Sequence, residues 1–250
     1  MSPVRIPQLP EHSPGRFPPA NRALSDPDGL LAWGGGLGPE WLIPAYRQGI
    51  FPWFNPGEPI LWWTPEIRYG FLPGSVHLGR SRRQQMRLMD WSIRADTAFR
   101  DVIRACAEVP RAGQSGTWIG DDMIAAYSQL HALGIGHSIE VFDGETLIGG
   151  LYGLALGRVF FAESMFSHCS QASAAALFAL SETLHEWRWS WLDAQMENPH
   201  LRLLGGQRMD RTDYLGMLVR DAAENGVAAG WTTHFPGLKI NDYLAKTRLA

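Results

Sequence analysis

The sequence predicts an α+β protein, with a small aromatic-rich N-terminal domain over residues 1–75 and a larger domain over 76–250 built on a mixed β-sheet. Three observations lead there. The 250 residues are 45% hydrophobic and 19% charged, enough apolar material for a substantial core, and the net charge of -3 is too small for a disordered chain. Residues 28–75 concentrate aromatic rings: Trp33, Trp41, Tyr46, Phe51, Trp53, Phe54, Trp62 and Trp63. The stretch from Thr117 to Gln195 reads helix, antiparallel strands, helix, strand, an order that folds into a sheet with both parallel and antiparallel pairs.

Taken in order, the first 27 residues hold seven of the 17 prolines. Proline fixes its own φ and biases its predecessor toward extended backbone, so this segment is expected to run extended over other parts of the fold. The aromatic set that follows compensates for a small core, each ring burying about 150–250 Å2, with one or two rings expected in a cleft for a flat ligand such as a nucleobase. Gly34 to Gly38 reads as a turn, with Pro39 opening a helix. From Arg80 to Arg104 seven arginines stand against three acids, a local excess of four positive charges that suits either a solvated helix face or a phosphate footprint. In TWIGDDMIAAYSQLHALG, Met123, Tyr127 and Leu130 recur at helical spacing, with Asp121 and Asp122 favouring the start and Gly134 the end. HSIEVFDGETLIGGLYGLALGRVFFAESMFS reads as three strands broken by turns at Asp143-Gly144 and Gly157-Arg158. ASAAALFALSETLHEW sets Leu177, Leu180, Leu184 and Trp187 along a helical stripe, and WSWLDAQ returns as a buried strand.

Several chemistries lose their usual warrants. The chain has no GxxxxGK[ST], GxSxG, HExxH or paired CxxC. His131, His137, His168 and Cys169 match no ligand spacing, so neither metal nor cofactor is expected. Cys106 and Cys169 are too few for a disulfide framework, and the opening residues lack the apolar core of a signal peptide, so a cytoplasmic location away from membranes is expected. What remains is a set of polar groups on apolar strands: Glu140, Glu163, Asp193 and Gln195. A buried carboxylate needs a partner or a function, and strand alternation predicts Asp193 and Gln195 on one face, with Glu163 joining them from a neighbouring strand. At this level a structural hydrogen-bond network and an active site are equally served.

The strings GLLAWGGGL, AYRQGIFPWF, PILWWTPEIR, GTWI, AYSQLHALGIGHSIEV, LIGGLYGLALG, FFAESMFS and LDAQ, in that order, resemble the leucyl/phenylalanyl-tRNA-protein transferases over about residues 17–218. The resemblance implies a C-terminal domain similar to the acyl-CoA N-acyltransferases (GNAT-like). The implied enzyme moves Leu, Phe or, less readily, Met from aminoacyl-tRNA to the α-amine of proteins beginning with Arg or Lys, marking them for N-end-rule degradation. It further implies that the Gln195 carbonyl accepts a hydrogen bond from the attacking amine while Asp193 orients and polarises that amide, with Glu163 holding a cationic group of the acceptor or aligning the substrate. By the same transfer Leu151, Met165, Leu177, Leu180, Leu184 and Leu192 line the aminoacyl side-chain pocket. Trp53 and Trp118 pack around the terminal adenosine, Trp62 and Trp63 are core, and Arg80, Arg82, Arg83 and Arg87 grip acceptor-stem phosphates. Departures from the family pattern fall at Gly36, Ala162, Ala174 and Leu203. An acyl-CoA donor is the rival reaction, disfavoured because HCSQAS has no glycine before its helix. A catalytically dead module that binds tRNA or basic N-termini is the rival without chemistry.

Overall fold

The computed structural model describes residues 6–109, 117–223 and 230–246. Met1 to Arg5 and Gly116 of the GTWI string lie outside them. The N-terminal residues are mostly irregular, as the prolines require, but β1 (Gln8–Leu9) pairs in parallel with β2 (Leu30–Gly34), which pairs in turn with β4 (Leu61–Trp63). Between them come α1 (Pro39–Arg47), opened by Pro39, and the two-residue β3 (Phe51–Pro52), which completes a four-stranded sheet of order β1-β2-β4-β3. Phe17 of the extended segment sets its edge on Trp62 at 4.9 Å and Trp41 at 6.0 Å. Trp62 and Trp63 are core residues whose indole N–H groups donate to Gly34 O and Trp53 O.

The chain enters the larger sheet at β5 (Ile67–Phe71), within the span expected for the N-terminal domain. Then follow α2 (Arg80–Arg87), β6 (Trp91–Ala95), α3 (Phe99–Glu108) and α4 (Asp121–Ala132). The expected three-strand meander is β7 (Gly136–Asp143), β8 (Thr146–Leu156) and β9 (Val159–Ser167), turning at both predicted glycines. Helix α5 (Ala172–Glu186) crosses over to β10 (Trp191–Asp193), and α6 (Pro199–Leu203), β11 (Gln207–Asp210), α7 (Arg211–Asp221), α8 (Trp231–His234) and α9 (Ile240–Lys246) complete the fold. The seven strands run β11-β5-β10-β9-β8-β7-β6, with β9 and β10 parallel and every other pair antiparallel.

Because alternate residues of a strand point to opposite faces, the central strands feed two cores. Tyr152, Leu154 and Phe161 pack with α3, α4 and the N-terminal sheet. Leu151, Ala155 and Phe160 pack with α5 and the C-terminal helices. The expected stripe on α5 is only part of its burial: every residue from Ala172 to Leu184 is buried, since the far side of the helix is covered too, α9 among its neighbours.

The pairing of β8 with β9 is irregular at one point. Tyr152 pairs with Ser164, yet Gly153 pairs with Ala162, so Glu163 is an extra residue on β9, a β-bulge. A Cβ on Gly153 would collide with Phe161 O, which leaves room for glycine alone opposite the bulge. Gly153→Ala is therefore expected to destabilise the protein by about 1–3 kcal/mol in urea denaturation, the usual cost of overpacking.

Candidate active site

Strands β9 and β10 pair only over Val159–Phe161 and Trp191–Asp193. Two residues beyond the last pair, Glu163 and Gln195 face each other across the opening, and Gln195 Nε2 donates to Glu163 Oε1 at 2.7 Å. The strand does not continue as far as Gln195: β10 ends at Asp193 and Gln195 adopts a left-handed φ of 62°, while its side chain still meets Glu163. That conformation is uncommon for a residue with a side chain and persists only where neighbours over-determine it. Here Tyr69 does so: its N–H donates to Gln195 O at 3.1 Å and its carbonyl accepts from Ala194 N–H at 2.9 Å.

Asp193 completes the clamp. Its Oδ1 accepts the backbone N–H of Gln195 at 2.9 Å. That contact reaches Gln195 through its main chain, while the side-chain amide nitrogen is held by Glu163. Asp193 is wholly buried, and what compensates it is Arg68, which sequence reasoning missed. Arg68 Nε and Nη2 reach both carboxylate oxygens at 2.7–3.1 Å. Tyr214 Oη donates to Asp193 Oδ2 at 2.7 Å. The guanidinium lies between the Phe51 and Tyr214 rings, 4.8 and 4.7 Å from their centroids, and Nη1 donates to Gly49 O. Burial opposes the Arg68 charge, but the adjacent Asp193 more than offsets it and holds the pKa above the ordinary arginine value. The available signal was an arginine in the apolar string PEIRYG, the natural counter-ion for a carboxylate that needed one.

Glu163 has a different environment. Tyr46 Oη donates to its Oε1 at 2.7 Å and Tyr127 Oη to its Oε2 at 3.0 Å, with the two phenols 2.5 Å apart. The residue is half-buried and its carboxyl lies deep. Burial pushes its pKa up to about 7 despite the two tyrosine hydrogen bonds, and the Asp193 carboxylate adds to the rise. Burial first, and the nearby Glu163 charge second, raise both phenols well above their usual range. Glu140, by contrast, is a network residue: it accepts from Ser138, from the Thr97 hydroxyl and from the N–H groups of Thr97 and Ala98, fixing the entry to α3.

Two cavities meet at Glu163, Ala194 and Asn198. One, about 270 Å3, is lined by Phe51, Trp53, Trp118 and Gln195, so the two tryptophans expected at the adenosine come together beside the expected catalytic amide. The other, about 290 Å3, is lined by Ala162, Met165, His200 and Leu201. Of the six residues expected around the aminoacyl side chain, Met165 lines it; Leu151, Leu177, Leu180, Leu184 and Leu192 are at most 1% exposed and belong to the packed core. The leucines of α5 are packed within a core cluster, and helical spacing does not tell such a place from the wall of a cavity. On α2, Arg80 and Arg87 are exposed, while Arg82 and Arg83 are half-buried. Arg83 Nε donates to Leu78 O, and Arg82 lies close enough to His200 that burial and its charge together lower the histidine pKa. Among the described residues no three His, Cys, Asp or Glu side chains come together as a metal site, and no helix is long and apolar enough to cross a membrane.

The model of the leucyl/phenylalanyl-tRNA protein transferase N-terminal domain matches residues 35–66, and the leucyl/phenylalanyl-tRNA protein transferase model matches residues 71–219. A leucyl/phenylalanyl-tRNA–protein transferase of Xanthomonas euvesicatoria is 50% identical over 250 residues, the full length of both chains. The chain belongs to this family. It is an aminoacyltransferase, and it shares 51% identity with the transferase of Xanthomonas axonopodis over 93% of each chain. The Xylella fastidiosa transferase is 50% identical over 88% of this chain and 90% of its own. Set against the transferase pattern, Gly36 packs under Trp41, where a Cβ would come within 2.9 Å of the indole nitrogen. Ala162 lines the second cavity, Ala174 is buried in α5, and Leu203 is exposed on α6.

Proposed function

We propose that this transferase moves leucine or phenylalanine, and less readily methionine, from aminoacyl-tRNA to the α-amine of proteins that begin with Arg or Lys. The tagged proteins enter N-end-rule degradation in the cytoplasm. The observation that carries this reading is the Gln195–Glu163 bridge standing between a tryptophan-lined cavity and a Met165-lined one. The terminal adenosine stacks in the first, the amino-acid side chain enters the second, and the ester between them lies beside the bridge. The larger sheet is assigned to the acyl-CoA N-acyltransferase type, since its one parallel pair opens after three residues on each strand and presents the reactive groups in the gap.

The ester is already activated toward an amine, so catalysis consists mainly of alignment, worth about 7–11 kcal/mol in favourable cases, and of moving one proton. Gln195 keeps its amide nitrogen on Glu163 and offers its carbonyl to the attacking amine. Asn198 caps α6 through Oδ1, leaving its amide N–H groups to face the carbonyl oxygen as charge develops there. The new C–N bond forms, Glu163 takes a proton from the amine nitrogen, and the C–O bond to the ribose breaks as that proton passes to the leaving hydroxyl. An α-amine titrates near 7.7–8.0, so roughly a tenth is neutral at pH 7, and a carboxyl poised near the working pH suits the transfer. Selectivity is loose because an apolar pocket separates one methylene by only about 1–3 kcal/mol and the thioether of Met165 is pliable.

Incubating the protein with labelled Phe-tRNA and an Arg-starting peptide should place label on the peptide, and acetyl-CoA should not replace the tRNA as donor. Label retained on tRNA, or acetyl transfer instead, overturns the reading. Removing the exposed cations with Arg80→Ala and Arg87→Ala should weaken tRNA binding and flatten the slope of log Kd against log salt by roughly 0.9 per lost phosphate contact. Fluorescence anisotropy with uncharged tRNA measures it; an unchanged slope makes that helix face merely solvated.

A further inference from the structure

Tyr46 of α1 and Tyr127 of α4 stand 81 residues apart in the chain and meet at Glu163. Among the described residues their hydroxyls bond only each other and that carboxyl: Tyr46 Oη to Oε1 at 2.7 Å, Tyr127 Oη to Oε2 at 3.0 Å, and Oη to Oη at 2.5 Å. Both tyrosines are 0% exposed. Packing alone does not call for them, since phenylalanine would fill the same space without burying two hydroxyls.

Counting hydrogens gives the three contacts two distinct states. A phenol has one hydrogen to donate and an ionised carboxylate has none. Both phenols keep theirs, because burial first and the Glu163 charge second raise them well above their usual range. With Glu163 ionised, both hydrogens go to the carboxylate, and the contact between the phenols is left without one. Once Glu163 carries a proton, three hydrogens serve three contacts. Oε1 already accepts from Gln195 Nε2 and Tyr46, so the proton sits on Oε2. Oε2–H then donates to Tyr127 Oη, Tyr127 O–H to Tyr46 Oη, and Tyr46 O–H to Oε1, which closes a ring. Passing between the two states turns hydrogens and moves no heavy atom.

We propose that Tyr46 and Tyr127 are positioning residues that hold Glu163 in both of its protonation states, as two donors to the carboxylate before the reaction and as a closed ring with the acid during it. The inference rests on the reading of Glu163 as the proton acceptor in aminoacyl transfer. The amine lone pair forms the C–N bond, an amine N–H bond breaks, and its proton goes to Oε2. When the C–O bond breaks, its electron pair stays on the ribose oxygen, which takes the proton from Oε2. Between those events the ring has no outlet, since neither phenol reaches solvent or a further partner among the described residues, so the proton stays in the site.

The groups that face Glu163 are the two phenols from α1 and α4, Asp193 and Gln195 at the end of β10, and the Arg68 charge of β5. Burial raises its pKa most, the two phenols lower it, Asp193 raises it and Arg68 lowers it. Tyr46→Phe and Tyr127→Phe should therefore each move the limb of the kcat profile near pH 7 to higher pH by about half a unit or more. Each should also lower kcat about tenfold, with KM for Phe-tRNA and for an Arg-starting peptide within about twofold of wild type. In the Glu163→Gln background the same substitutions should change kcat by less than about twofold, because the hydroxyls then have no proton to hold. A merely structural pair would lower kcat equally in both backgrounds and leave the limb in place, and that result overturns the inference. Phenylalanine keeps the edge contacts with Phe161 and Tyr152, and should one variant fail to fold, the other carries the comparisons. Wild type that transfers nothing from Phe-tRNA would instead sink the functional reading. Infrared titration of the Glu163 carboxyl, identified by its loss in Glu163→Gln, still decides the pair: its midpoint near pH 7 should rise in each phenylalanine variant, and an unmoved midpoint overturns the inference.

Discussion

Arg68→Met should cost about 3–5 kcal/mol in chemical denaturation, the usual penalty for leaving a buried charge without its partner, and should lower transfer about a hundredfold or more. Asp193 is fully buried and takes three guanidinium contacts, the Tyr214 hydroxyl and the Gln195 N–H. Without Arg68 its carboxylate must turn, swell the site with water or bind a proton, and each of these loosens the left-handed turn that aims Gln195. Arg68→Lys should recover little, because an ammonium cannot supply the planar fork or fill the space between Phe51 and Tyr214. The double variant Arg68→Met with Asp193→Leu separates stability from function. Removing both charges should return most of the lost stability, as replacing a buried ion pair by apolar groups often does, yet activity should stay low since the backbone anchor of Gln195 is gone. Recovery of both together would show that Asp193 does not position Gln195.

How far the sequence reached depends on what kind of information each feature needs. The meander was legible because Asp143-Gly144 and Gly157-Arg158 announce tight turns between alternating strands, and α4 because its caps and apolar spacing agree. Trp53 and Trp118, named for the terminal adenosine from motifs far apart in the chain, line one cavity with Gln195. Arg68, Tyr46, Tyr127 and Tyr214 were missed, since their roles are set by partners 21 to 125 residues distant in the chain. The bulge at Glu163 and the left-handed Gln195 were equally hidden: period-two reasoning assumes an unbroken strand, and both break it. The five core leucines show the converse limit, where apolar spacing reports that a side chain is buried but not whether a cavity lies next to it.

Glu163→Gln should lower kcat by about 10²–10⁴, the range for losing a positioned proton acceptor, and should change the pH profile in a way a purely structural role would not. The acceptor is the ionised carboxylate. With its pKa raised to about 7, chiefly by burial, wild-type transfer should climb through pH 7 as Glu163 loses its proton, and climb again near 7.7–8.0 as the peptide amine does. In Glu163→Gln only the amine-linked rise should remain. Stability moves in the opposite sense. A carboxyl whose folded pKa lies above the unfolded value of 4.5 binds its proton more tightly in the native state, so its contribution is complete below pH 4.5 and is lost as pH rises through about 7. Glu163→Gln removes that loss, so the variant should gain on wild type in denaturation experiments between pH 5 and pH 8 even as its activity falls. Retention of the limb near pH 7 in the variant's rate profile would move proton transfer away from Glu163 and leave it only the holding of the Gln195 amide.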